Sequence, residues 1–205
     1  MKKIRNKISS VIKDVKGVVS IEFALILPLL IMLLLGSVDL AHFLMAHQRI
    51  SRAAYTISNL VTQMEEGLSE SQVSDMMLAL DQTSRPFSIS NDGVATLTAV
   101  MGETNGNSRK LRNYRVAWKR CFGAKSSSSK YGAANSVIEL DSGVIPDNMV
   151  VENLQLVVIA EVEYDFEPMI GFLPLTSKIS YESMFRPRRG AINAIASDGS
   201  QAYSC

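Results

Sequence analysis

The chain has 205 residues, 47% of them hydrophobic and 20% charged, with a formal net charge of +1. That length and apolar content allow one membrane segment plus one domain of about 150 residues, large enough to bury a core. Two histidines and two cysteines leave no clustered Cys/His metal set, and HExxH, GxSxG and phosphate-loop motifs are all missing, so no catalytic residue, metal ligand or cofactor is expected.

The near-neutral total hides a segregation of charge. Residues 1–17 carry Lys2, Lys3, Arg5, Lys7, Lys13 and Lys16 against Asp14 alone. By the positive-inside rule such a leader stays in the cytoplasm and the remainder is exported. From Gly17 to Met45 the chain reads GVVSIEFALILPLLIMLLLGSVDLAHFLM, uncharged up to Asp39 except at Glu22. Val18–Leu44, at about 1.5 Å per residue, is enough helix to cross a hydrocarbon core of about 30 Å. A secretory signal peptide would have a shorter apolar core followed by an Ala-x-Ala site, and neither is found here. An acid near the middle of a membrane helix costs about 2.5–3.5 kcal/mol, less near the interface, so Glu22 calls for a partner. If the chain is cut after Gly17, the new amine of Val18 and a neighbour's Glu22 can pair between staggered helices, offsetting the desolvation of both.

Within this span Pro28 removes its own N–H, frees the Ala24 carbonyl and favours a kink. His42 and His47 are off the spacing that puts two ligands on one helical face, and read as interfacial polar residues. Ile50, Ala53, Ile57, Leu60, Val61 and Met64 continue a helical period beyond the span, so one long helix is expected, ending by Gly67. Ser69 fits an N-cap with Gln72 as capping-box partner, opening a helix with Val73, Met76, Met77 and Leu80 on its inner face and an end before Pro86.

From Phe87 the period changes to two. Val94–Met101, the Tyr114/Val116/Trp118 run, the Ala160/Val162/Tyr164/Phe166 run and Ile179/Tyr181/Phe185 mark strands separated by turn signals. The fold class expected is α+β: a long N-terminal transmembrane helix continuing into a globular domain with a mostly antiparallel sheet. Eight basic residues from Arg109 to Lys130 form one charge block and eight acids from Glu139 to Glu167 another. The favoured reading pairs them within the molecule, with Arg115 and Lys119 across from outward Glu161 and Glu163 on adjacent strands; the alternative sets the blocks on faces that steer assembly. Tyr114 and Trp118 fall on the inward side of their strand, and an exported domain meets no genome, so nucleic-acid binding is discarded. Cys121 and Cys205 both follow the span. In an oxidising compartment they favour one disulfide, against the alternatives of two free thiols or a lipid-modified cysteine.

The leader ending at Gly17, then VVSI, then Glu22-Phe23 and a long apolar helix is similar to the class III prepilin-peptidase site of tight-adherence (Tad/Flp) pili. GVVSIEFALILPLL resembles TadE-like minor pseudopilins, as do SRAAYTISNLVTQ at Ser51–Gln63 and EVEYDFEPMIGFLPL with MFRPR at Glu161–Arg188. The resemblance implies a pilin-like fold and peptidase cleavage between Gly17 and Val18. It further implies subunit pairing through Glu22, peptidase recognition that includes Phe23, and a role in pilus assembly without chemistry of its own. The implied partners are the prepilin peptidase, sibling pseudopilins, the Tad secretion platform proteins, the major Flp pilin and the inner membrane. The implied layout is a cytoplasmic leader over residues 1–17, a single-pass helix over 18–45 and a periplasmic domain over 46–205. The competing expectation is an uncleaved anchor whose domain binds a surface or cell-wall partner.

Overall fold

A computed structural model describes residues 16–64, 67–104, 111–146, 151–188 and 192–205. The basic leader up to residue 15, together with Arg109, Lys110 and Asp147 of the charge blocks, lies outside the described residues. Helix α1 runs unbroken from Lys16 to Thr62, with Pro28 inside it. Gly67 adopts a left-handed φ of 45°, as a helix-ending glycine would, but α1 has already stopped at Thr62. Ser69 then caps α2 (Glu70–Ser84). Its side chain accepts the Gln72 N–H, and its own N–H donates to the Gln72 side chain. Two orphan donors of the first turn are thereby satisfied together. Val73, Met77 and Leu80 are buried along that helix.

The chain divides into two compact units. One holds the helix up to Phe43 together with the loop Pro168–Leu175; the other holds Leu44–Glu167 and Thr176–Cys205. In the larger unit a short helix α3 (Ile89–Asp92) precedes the strands, where strand periodicity was expected from Phe87 onward. Strands β2 (Gly93–Thr104), β3 (Leu111–Phe122), β4 (Val137–Glu139), β5 (Leu156–Phe166) and β6 (Ser177–Phe185) form one sheet in the order β4-β3-β2-β5-β6, every pair antiparallel. Two-residue strands β1 (Leu68–Ser69) and β7 (Ile195–Ala196) pair in parallel apart from it. The expected α+β class is the observed one.

Both central strands are buried nearly throughout, so the sheet carries cover on two sides. On one face the continuation of α1 packs: Ser58 and Ser183 hydroxyls meet at 2.6 Å, the Ser183 hydroxyl donates to the Ala54 carbonyl at 2.6 Å, and Tyr55 stacks edge-on against Phe185. On the other face Val100, Tyr114, Val116, Val157 and Ile159 pack with Tyr131, Ile138, Ile145 and Val151 from the long β3–β5 connection. A bulge joins the two. Trp118 pairs with Ala99 but Val116 pairs with Val100, leaving Ala117 extra in β3. The Tyr114/Val116/Trp118 run, expected on one inward side, is therefore split: all three are buried, but Trp118 turns to the α1 face while Tyr114 and Val116 face the other layer.

Candidate functional site

Two places in the fold carry groups that cost free energy to place there: the apolar helix of the smaller unit and the covered sheet face of the larger one. From Val18 to Leu34 every residue of α1 is exposed, including Leu25 at 74% and Val19 and Leu33 at 68%. A helix apolar all round, with mean hydropathy 2.7 over its best window and no covering chain, is long and apolar enough to cross a membrane. Gly17 and Val18 follow Lys16 at the start of the described part of α1. Glu22 and Phe23 are exposed one turn further on, among lipid-type neighbours.

Asp39 escaped the sequence reading, where it served only as the end of the uncharged run. It is fully buried, and its carboxylate accepts the backbone N–H groups of Ile170 (2.9 Å), Phe172 (2.8 Å) and Leu173 (3.2 Å). Leu35, Gly36, Asp39, His42 and Phe43 share the half-covered stripe of the helix at three-four spacing. The available signal was an acid on that stripe plus a distant loop, PMIGFLPL, with no polar side chain of its own.

In the larger unit, the covered face of β5 and β6 holds Glu161, Glu163 and Glu182. The Ser127–Tyr131 segment lies over them. Ser128 donates to Glu163, the Tyr131 hydroxyl donates to Glu182, Ser127 accepts from Thr96 at 2.7 Å, and Lys119 reaches the Gly132 carbonyl at 2.9 Å. Burial pushes the Glu161 carboxyl above its usual range, with Glu182 adding to the shift and hydrogen bonding from Ser129 and Lys130 and the Lys119 charge opposing it. Burial also lowers the Lys119 amine and raises the Tyr131 hydroxyl. For Glu163 burial acts upward but is outweighed by Lys178 and Ser128, leaving it below the usual carboxylate range.

The charge blocks answer one another within the molecule through Lys125–Asp165 at 3.0 Å, while Lys130 of the basic block pairs at 3.0 Å with Glu182, which lies beyond the acidic one. The particular partners differ from those expected, because β2 lies between β3 and β5. Arg115 pairs with Glu103 of β2, Arg120 with Glu70 at the start of α2, and Glu163 with Lys178 at 2.7 Å. A cavity of about 150 Å³ is lined by Asp92 together with Lys125, Asp165, Glu163 and Lys178, the last four matched in the pairs Lys125–Asp165 and Lys178–Glu163. His47 meets the Tyr181 hydroxyl at 2.9 Å, and no cluster of three or more metal-ligating side chains occurs among the described residues.

Cys121 and Cys205 are joined by a disulfide. The tail is pinned beside it by the Cys121 N–H donating to the Tyr203 carbonyl at 3.0 Å and by edge-on packing of Tyr203 against Phe122. Closing a loop of 84 residues stabilises by about 4 kcal/mol on a chain-entropy account.

Together these features define an α+β protein with, among the described residues, one N-terminal helix long and apolar enough to cross a membrane. Residues 17–58 match the family described as TadE-like protein, which is a structural component of Tad pilus systems. No curated protein and no solved structure matches the chain. The match covers α1 from Gly17 to Ser58, including Glu22, Phe23 and Asp39.

Proposed function

We infer that the protein is a minor pseudopilin. It enters the inner membrane with its leader held in the cytoplasm, is cut between Gly17 and Val18 by a prepilin peptidase, and serves the assembly of Flp-type adhesive pili with its larger unit in the periplasm. The observation that carries this reading is Glu22, a carboxylate in a helix whose residues from Val18 to Leu34 are all exposed and otherwise uncharged. Such a helix is made to be surrounded, by lipid before assembly and by other helices after it. Glu22 lies about 6 Å along the axis from Val18, so an amine released at Val18 of a staggered neighbour reaches its depth. The family match begins at residue 17, so removal of the leader would leave the matched helix intact from Val18 onward. Phe23, exposed beside Glu22, is the side chain offered to the peptidase. Sibling pseudopilins, the major pilin and the secretion platform are the partners that present helices of the same kind.

The test is the intact mass and N-terminal sequence of the protein recovered from membranes with and without a co-expressed prepilin peptidase. A product beginning at Val18 only when the peptidase is present is the expected result. A chain keeping its leader under both conditions leaves an uncleaved anchor and overturns the reading.

A further inference from the structure

The smaller unit contains a second element besides the helix, the loop Pro168–Leu175, and its construction is unusual for a surface loop. PMIGFLPL has no polar side chain, yet Met169 is 71%, Ile170 45% and Phe172 42% exposed. Four of its six backbone N–H groups are nonetheless met from within the protein. Asp39 accepts from Ile170, Phe172 and Leu173, and the Leu175 N–H donates to the Leu173 carbonyl at 2.8 Å, while Pro168 and Pro174 have no N–H to satisfy. A loop in water has no need of this, because solvent would serve the same donors. In hydrocarbon each unmet donor costs several kcal/mol, so irregular backbone at membrane depth must be satisfied by protein.

Position along α1 gives the same answer. A Cβ at Gly36 would sit 3.8 Å from side-chain carbons of Leu173 and Phe172, so the loop lies directly against the helix there. Gly36 is about 27 Å and Asp39 about 32 Å along the axis from Val18, against a hydrocarbon core of about 30 Å. The loop therefore meets the helix where the helix leaves the core, and its exposed apolar side chains continue the apolar surface of Val18–Leu34 without an intervening charge.

We propose that Pro168–Leu175 is a second membrane-contacting element, which places Met169, Ile170 and Phe172 among the lipid acyl chains at the boundary where α1 emerges, with Asp39 as its positioning residue. The lipid bilayer is the occupant because the loop lies against α1 where the helix leaves the hydrocarbon core and its exposed apolar side chains extend the helix's own apolar surface. The inference rests on α1 spanning a bilayer and is independent of cleavage at Gly17.

The test uses the full chain in phosphatidylcholine vesicles whose acyl chains carry bromine, a contact quencher of tryptophan. Trp118 is the one natural tryptophan, buried in the larger unit and donating to the Ile192 carbonyl at 2.7 Å, so the wild-type protein supplies the background. Phe172→Trp and, separately, Met169→Trp are compared with Leu30→Trp, placed mid-span. The expected result is quenching of both loop variants to an extent comparable with Leu30→Trp, strongest with bromines near the headgroup end, where Leu30→Trp responds most to bromines near the methyl end. Adding Asp39→Ala to Phe172→Trp should abolish that quenching and open the tryptophan to aqueous acrylamide. Loop variants reached by acrylamide and not by bromine, while Leu30→Trp is quenched, overturn the proposal and leave the span standing. Shielding from both quenchers would assign the loop to a second copy of the chain and overturns it as well. Absence of bromine quenching at Leu30→Trp too would remove the span and the proposal together.

Discussion

Glu161 stands directly opposite Glu182 in the β5–β6 register, on a face that the Ser127–Tyr131 segment covers. Like charges placed opposite one another destabilise a sheet, and here water is partly withdrawn from them as well. Glu182 is answered by Tyr131 and Lys130, so the unresolved cost falls on Glu161, whose Oε2 is buried without a hydrogen-bond partner. Its folded-state pKa is raised above 4.5, so the folded protein binds this proton more tightly than the unfolded chain. The cost is absent well below 4.5, grows as pH rises toward the folded value and is complete above it. Glu163 has the opposite sign, since its lowered pKa contributes stability above 4.5 that is lost on acidification. Glu161→Gln keeps the shape and an acceptor but removes the charge. Urea unfolding of the full chain in detergent should find the variant more stable than wild type at neutral pH, with the difference closing as pH falls toward 4.5. Equal stability at neutral pH would show that Lys119 already offsets the buried charge. Sequence alternation sent Glu161 and Glu163 outward. Alternation reports that a strand has two faces and says nothing of a second layer, which is built here from a connection with little period of its own. Glu22 stands out in the sequence because a charge in an apolar run breaks a local rule, whereas Asp39 acquires its structural meaning from a loop far along the chain.

At the level of elements, the strongest local signals were chemical ones. The Ser69/Gln72 pair is readable because a capping box needs two residue types at one spacing, and both hydrogen bonds form. Ser69 also sits in the β1–β7 pairing, and Ser71 beside it donates its N–H to Asp198, so this cap lies where the C-terminal segment is tied down. Ser69→Ala should cost about 1 kcal/mol of stability in chemical denaturation, while Ser69→Asp, which restores an acceptor at the same place, should recover most of it. A loss equal in both variants would assign the effect to the pairing with β7 and not to the cap. The elements that escaped were those without a local signature. β4 is three residues long, too short for a period to register, and the extra Ala117 carries Trp118 to the face opposite Val116 while the sequence still alternates. Sheet order escaped for a related reason: strand β2 between β3 and β5 reassigns each cross-strand charge pair, and order is fixed by the layers on both faces, not by any one strand.

For the whole molecule, the decisive question is what α1 does with a carboxylate that its own chain leaves exposed. A simple anchor gains nothing from Glu22, since replacing an acid with leucine relieves an insertion cost of up to about 3 kcal/mol, less near the interface. A helix that must join a bundle of its own kind gains a counter-charge and a depth register, the best-attested use of a charge in an apolar interface. The two accounts diverge for Glu22→Leu. If Glu22 pairs with a neighbour's amine, the variant should reach the membrane at or above the wild-type level, keep the denaturation midpoint of its larger unit, and yet lose surface pili. Glu22→Asp, which keeps the charge on a shorter stem, should restore part of the assembly that Glu22→Leu abolishes. Counting pili by electron microscopy beside immunoblots of the membrane fraction separates lost assembly from lost protein. Normal pili on cells carrying Glu22→Leu would leave the carboxylate without a structural role in the bundle. The cost of holding it in lipid would then have to be met by recognition at the peptidase, a role that the same blots would reveal as a change in processing.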